Sequence, residues 1–122
     1  MSYSQEPFIP YGRQTITESD IAAVTEVLRS PFLTQGPVVS RFEQSVAKKV
    51  GSAFGVAVNS ATSALHIACL ALGLKQGDCL WTSPITFVAS ANCGRYCGAR
   101  VDFVDIDPTT GLMSVSALSQ KL

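Results

Sequence analysis

The sequence predicts an α/β fold with a largely parallel sheet. Three short strand-like runs, the apolar Phe54–Val58, then Cys79–Thr82 and Arg100–Ile106, are separated by segments of helical character. Runs of this length bounded by turn residues suit strands covered on both faces, and strand–helix alternation calls for crossovers between parallel strands. The runs end in polar residues, Asn59-Ser60, Thr82-Ser83 and Asp105 to Asp107, at the carboxyl ends where open α/β sheets gather their ligands.

Thr17-Glu18-Ser19-Asp20 resembles a capping box with Asp in place of Glu, and Ile21, Val24, Val27 and Leu28 repeat at helical spacing. Pro31 forbids continuation, so a first helix spans about 18–30. Pro31 to Pro37 carries two prolines and Gly36 and reads as an ordered, irregular loop. Val39, Phe42, Val46 and Val50 then line one face of a second helix that Gly51 stops. After the Phe54–Val58 strand, Thr62 to Leu72 is apolar nearly all round, which predicts a helix buried on most sides and capped by Gly73. Gly77-Asp78 turns into the Cys79–Thr82 strand. Pro84-Ile85-Thr86 leads to a helix of about 87–97 closed by Gly98. The Arg100–Ile106 strand follows, then the Asp107–Gly111 turn and Ser114 as N-cap of a last helix. Three strands with two leading helices, about 18–50, make an incomplete sheet whose outer strand needs a partner.

The chain has 122 residues, 47% of them hydrophobic, enough for one modest core. Lys plus Arg equals Asp plus Glu at 9 each, so no basic surface is expected to meet nucleic acid or an anionic membrane. The longest apolar stretch, Ala64 to Leu74, falls short of the roughly 20 residues that span a bilayer. Met1 to Pro7 lacks the features of a secretory signal, which predicts a cytoplasmic protein. Cys69, Cys79, Cys93 and Cys97 form no C-x-x-C pair and are expected to be reduced core thiols. Cys93 and Cys97 with the single His66 offer too few ligands, so no metal site is expected.

Asn59-Ser60-Ala61-Thr62-Ser63-Ala64 puts small hydroxylated residues between a strand and a helix start, where free N–H groups and the helix dipole favour an anion. The residues alone allow two readings, a phosphate cup or a helix cap made by Ser60 or Thr62. Phe87 sits beyond the next strand, where an aromatic suits stacking on a flat ring and suits a core equally. Asn92 reads as a helix residue bonding a neighbouring loop, and His66 as a satisfied core histidine.

Four motifs in order carry a resemblance: Leu33-Thr34-Gln35-Gly36-Pro37 with Phe42-Glu43, the run Asn59 to Leu65, the run Thr82 to Asn92, and Val104-Asp105-Ile106-Asp107. Over about residues 8–122 the chain resembles the DegT-type sugar aminotransferases, which are fold-type-I pyridoxal-phosphate (PLP) enzymes. The resemblance implies that residues 1–122 are the N-terminal portion of the PLP-binding large domain. It implies that Thr62 and Ser63 hold the PLP phosphate, that Phe87 stacks on the pyridine, and that the Thr34–Gly36 loop lies near the active-site entrance of a homodimer. Tyr11-Gly12-Arg13-Gln14, Ser60 to Leu65 and the Phe87 form of the aromatic are most similar to the branch that moves an amino group, by family habit from glutamate, to C4 of a UDP-linked 4-keto-6-deoxy-N-acetylhexosamine. That reaction belongs to biosynthesis of the pseudaminic-acid type.

The chemistry needs a Schiff-base lysine and an acidic partner for the pyridine nitrogen. Lys48, Lys49, Lys75 and Lys121 lie on expected helix ends or turns, outside the Ser/His context of the family lysine, and neither Asp105 nor Asp107 matches the acidic partner. The expectation is therefore a truncated stretch, inactive alone, with no catalytic residue of its own. A Rossmann dinucleotide module would want G-x-G-x-x-G after its first strand, and Asn59 to Ala64 contains no glycine.

Overall fold

The computed structural model describes residues 8–122, which divide between Ala57 and Val58 into two units. The Met1–Pro7 stretch, read above for a targeting signal, lies outside the described residues.

In the first unit α1 (Glu18–Arg29) starts with the expected capping box. The Asp20 N–H donates to Thr17 Oγ1, and the Thr17 N–H donates to Asp20 Oδ2 at 2.8 Å. Such a cap is worth about 1 kcal/mol. Pro31 to Gly36 is irregular, and Gln35 takes a left-handed φ of 54° there. Helix α2 (Pro37–Val50) opens on a proline and ends at Gly51, whose φ of 69° gives the left-handed cap expected of it. Phe54 to Ala57 then returns along α2. Gly55 lies so close that a Cβ there would stand 2.6 Å from the Glu43 carbonyl oxygen. The Ala57 N–H donates to the Glu43 carboxylate at 2.8 Å.

This contact corrects one expectation. Phe54–Val58 is extended but is not a laddered strand, because no second strand lies beside it among the described residues and the Glu43 side chain takes one of its N–H groups.

The second unit holds α3 (Ala61–Ala71), β1 (Cys79–Thr82), α4 (Ala89–Tyr96), β2 (Arg100–Phe103) and α5 (Val115–Ser119). Strands β1 and β2 pair in parallel with α4 as their connection, in the register Cys79↔Arg100 through Thr82↔Phe103. The class is α/β, as the sequence predicts, with two laddered strands where three were expected. Beyond β2, Ile106 makes only an isolated antiparallel bridge to Met113. Helix α4 packs on α3 and on both strands. Gly94 permits this: a Cβ there would meet Leu80 Cβ at 3.0 Å and Val101 Cγ2 at 3.3 Å. Cys69, Ala89, Cys93, Ala99 and the fully covered Val104 form the core around that contact.

Helix α3 corrects a second expectation. Only Cys69 on it is buried, while Leu65, Ile67 and Leu70 are exposed, because α4 is the helix laid against it among the described residues. His66 is likewise only partly covered, its ring meeting the Tyr96 ring edge-on at 5.2 Å. All four cysteines are free thiols, Cys69 and Cys93 buried and Cys79 and Cys97 half-buried. Among the described residues no helix is long and apolar enough to cross a membrane.

Candidate functional site

The start of α3 is built by three side chains that hold one another. Ser60 is the N-cap, in extended backbone, and its Oγ accepts the Ser63 N–H at 3.2 Å. The Ser63 hydroxyl donates to Asn59 Oδ1 at 2.8 Å and lies 3.0 Å from Ser60 Oγ. This brace closes the turn and leaves its outer rim open. The Ala61 and Thr62 N–H groups, which a helix cannot satisfy internally, have no acceptor among the described residues, and the Thr62 hydroxyl has no partner there either. Thr62 and Ser63 are both half-buried. Of the two readings left open by the sequence, the helix cap is the one formed, by Ser60; beside it stands a set of donors without acceptors among the described residues, at the positive end of the helix dipole.

The second loop runs from Thr82, buried at the end of β1, to α4. The Ile85 N–H donates to Ser83 Oγ at 3.3 Å, and the hydroxyls of Thr86 and Ser90 lie 3.2 Å apart. Helix α4 begins at Ala89, two residues later than expected, with Phe87 left in the loop and 72% exposed. Its ring is therefore not core. No hydrogen bond or ring contact links Phe87 to Thr62 or Ser63 among the described residues, so the structure brings the two hydroxyl residues together and places the aromatic on a separate loop of the same unit. Asn92 is half-buried on α4, and the loop hydrogen bond expected of it is not formed among the described residues.

The third strand end is occupied by its own turns. Val104 continues the ladder through its N–H to the Thr82 carbonyl at 3.0 Å. The Asp107 carboxylate accepts the Thr109 hydroxyl and N–H, which hold it below the usual carboxylate range, and Asp105 accepts the Ile106 N–H. Lys121 is committed to Asp102 at 2.8 Å, an ion pair that with the Phe103 N–H holds the Asp102 carboxyl low. Lys48 and Lys49 stand in the last turn of α2, and Lys75 is exposed in the connection from α3 to β1.

Sequence reasoning missed the role of Asn59. The available signal was its place four residues before Ser63 and directly before the cap, where an Asn side chain reaches local donors. It also missed a cleft of about 420 Å³ in the first unit, where Val27, Pro31, Phe32 and Pro37 form apolar walls beside Glu26 and Arg41. Pro31 and Pro37 are the residues that bracket the loop carrying Thr34 to Gly36.

Comparison with known proteins places these features in company. The profile of the DegT/DnrJ/EryC1/StrS aminotransferase family matches residues 14–122. A Campylobacter jejuni protein, UDP-4-amino-4,6-dideoxy-N-acetyl-beta-L-altrosamine transaminase, is 45% identical over 98 residues, which cover 80% of this chain and 26% of the relative. A Streptococcus pneumoniae protein described as a sugar aminotransferase, solved in its PLP form, superposes with a TM-score of 0.87 at 32% identity, covering 93% of this chain and 29% of that one. The E. coli GDP-4-keto-6-deoxy-D-mannose-3-dehydratase, solved with bound hydrated PLP, superposes with a TM-score of 0.85 at 28% identity over 93% of this chain and 31% of its own. The chain therefore spans between a quarter and a third of the length of these proteins.

Proposed function

Because the chain belongs to the DegT/DnrJ/EryC1/StrS aminotransferase family, we propose that residues 1–122 are the N-terminal, cofactor-cradling portion of the large domain of a PLP-dependent nucleotide-sugar aminotransferase. The full-length protein transfers an amino group from glutamate to C4 of a UDP-linked 4-keto-6-deoxy-N-acetylhexosamine, in biosynthesis of the pseudaminic-acid type. The name of the C. jejuni relative supports that substrate. The protein works as a homodimer in the cytoplasm, with the Thr34–Gly36 loop beside the sugar nucleotide.

The observation that carries the proposal is the open first turn of α3. The Ala61 and Thr62 N–H groups and the Thr62 hydroxyl are donors without protein acceptors at the start of an 11-residue helix. A phosphate dianion accepts only, so this donor set fits the phosphate of PLP, and the helix end adds about half a unit of positive charge. Phe87 offers an exposed flat ring to cover one face of a pyridine and keep water from it. When bound, PLP supplies an electron-withdrawing ring that stabilises negative charge beside the nitrogen being transferred. On this proposal the Schiff-base lysine comes from the remainder of the full-length protein: Lys121 is paired with Asp102, and none of the other three lysines stands in the Ser/His sequence context of the family lysine.

Replacing Thr62 and Ser63 together by alanine in the full-length protein weakens PLP retention at least tenfold, because one hydrogen bond to a charged acceptor is worth about 1.5–3 kcal/mol. Phe87→Ala loosens it further. Equilibrium dialysis measures both, and unchanged affinity in both variants would show that these residues only build the fold. A second reading, dehydration of a keto sugar, is favoured by the likeness to the E. coli dehydratase. A product that has lost water and gained no nitrogen would select it.

A further inference from the structure

Two buried thiols meet where α3 packs on α4, and the proposed cofactor site uses neither of them. The edge-on contact of the His66 and Tyr96 rings shows which turns of the two helices face each other. One turn on from His66 stands Cys69, the one buried residue of α3, and one turn back from Tyr96 stands Cys93, buried on α4. The two thiols are neighbours, only 8% and 4% exposed, and both are free. The Cys93 thiol also donates to the Ser90 carbonyl oxygen at 3.3 Å, which orients its side chain.

We propose that Cys69 and Cys93 are a modification site, closing to a reversible disulfide that ties α3 to α4 when the protein meets a small peroxide. The Cys93 sulfur, as thiolate, attacks one oxygen of hydrogen peroxide; the O–O bond breaks, the departing hydroxide takes up the thiol proton as water, and Cys93 becomes a sulfenic acid. The Cys69 sulfur then attacks the Cys93 sulfur. The S–S bond forms as the S–O bond breaks, and the hydroxide leaves with the Cys69 proton as a second water. Two thiols and one peroxide thus give one disulfide and two waters. Cys69, where burial disfavours the thiolate, takes the second, intramolecular step. Cys97, at the C-cap of α4 one turn beyond Cys93, and Cys79, at the start of β1, remain thiols.

The test treats the reduced full-length protein, natively folded, with hydrogen peroxide. Remaining thiols are then alkylated with iodoacetamide under denaturing conditions, and unreduced peptides are mapped by mass spectrometry, with fragmentation to locate the bridge. The expected product joins Cys69 to Cys93 and is two hydrogens lighter than its parts, Cys79 and Cys97 are recovered alkylated, and dithiothreitol reverses the change. Because the bridge closes the chain from residue 69 to residue 93, the oxidised protein unfolds at a higher urea midpoint than the reduced one. Cys69→Ser and Cys93→Ser each abolish both the bridge and the gain. Should either variant not fold, the wild-type map and midpoint decide without it. The inference is overturned if the main bridge joins Cys97 to Cys69 or to Cys93, or if Cys93 passes to sulfinic acid with no bridge formed. It is equally overturned if Cys69 and Cys93 stay thiols under peroxide, or if the bridged protein unfolds at no higher urea concentration than the reduced one.

Discussion

The Cys69 thiol is pushed up to about 11 from its ordinary 9.0, first by burial and then by the Cys93 thiol beside it. Thiolate is the reactive form, so burial and protonation act together. In the native chain, alkylation at mildly alkaline pH reaches the half-buried Cys79 and Cys97 before Cys69 and Cys93, and denaturation removes the order. Peptide mapping by mass spectrometry reads it; equal native rates for Cys69 and Cys97 would mean that the contact between α3 and α4 opens freely. The carboxylates set a second expectation. Asp20 is held below its ordinary 3.8 by the Thr17 N–H and then the Thr17 hydroxyl, Asp102 by Lys121 and then the Phe103 N–H, and Asp107 by the Thr109 hydroxyl and then its N–H. A carboxyl lowered in the folded state adds stability above its unfolded value, and that stability is lost as pH falls through the folded value. Stability is therefore flat from neutrality to about pH 5 and declines below about pH 4, and Thr17→Val removes part of the decline. A urea midpoint that rises on acidification would contradict this assignment.

Among the described helices, α4 buries the most residues, Ala89, Cys93 and Gly94. The Cβ of Gly94→Ala meets Leu80 and Val101 at 3.0–3.3 Å, and overpacking of this kind costs about 1–3 kcal/mol. Urea denaturation of the full-length protein should show that loss, and an unchanged midpoint would mean that α4 slides on the sheet without cost. The elements legible in the sequence are those whose causes are local. Thr17 and Asp20 announce α1, Gly51 ends α2, and Ser60 and Ser114 cap α3 and α5 through hydrogen bonds within three residues. What could not be read depends on distant neighbours. Phe54–Val58 has strand composition, yet a strand exists only as a ladder, and Glu43 of α2 takes its Ala57 N–H. The apolar circumference of α3 calls for cover on several sides, and composition cannot say which sides receive it. The same holds for the candidate site: Thr62 and Ser63 are visible in the sequence as small hydroxyls at a helix start, whereas the contacts of the Ser63 hydroxyl with Asn59 Oδ1 at 2.8 Å and Ser60 Oγ at 3.0 Å exist only once the turn is folded.

At the scale of the whole molecule, the chain covers 26% of a relative, and under the proposed function it is the cradle for a cofactor whose reacting lysine lies elsewhere in the full-length protein. Under the proposed function, the isolated 122-residue chain is expected to show no amino transfer in the amination assay below. Leu65, Ile67 and Leu70 on α3 and Phe87 on the loop before α4 are exposed. The most direct measurement incubates the full-length protein with PLP, glutamate and a panel of keto sugar nucleotides, and follows the products by mass. The account predicts amination of the UDP-linked 4-keto-6-deoxy-N-acetylhexosamine, with 2-oxoglutarate formed in equal amount and parallel initial-rate lines of a ping-pong scheme. Amination of only a dTDP-linked or 3-keto sugar would contradict the substrate assignment, and no amination of any sugar nucleotide would contradict the proposed function as a whole.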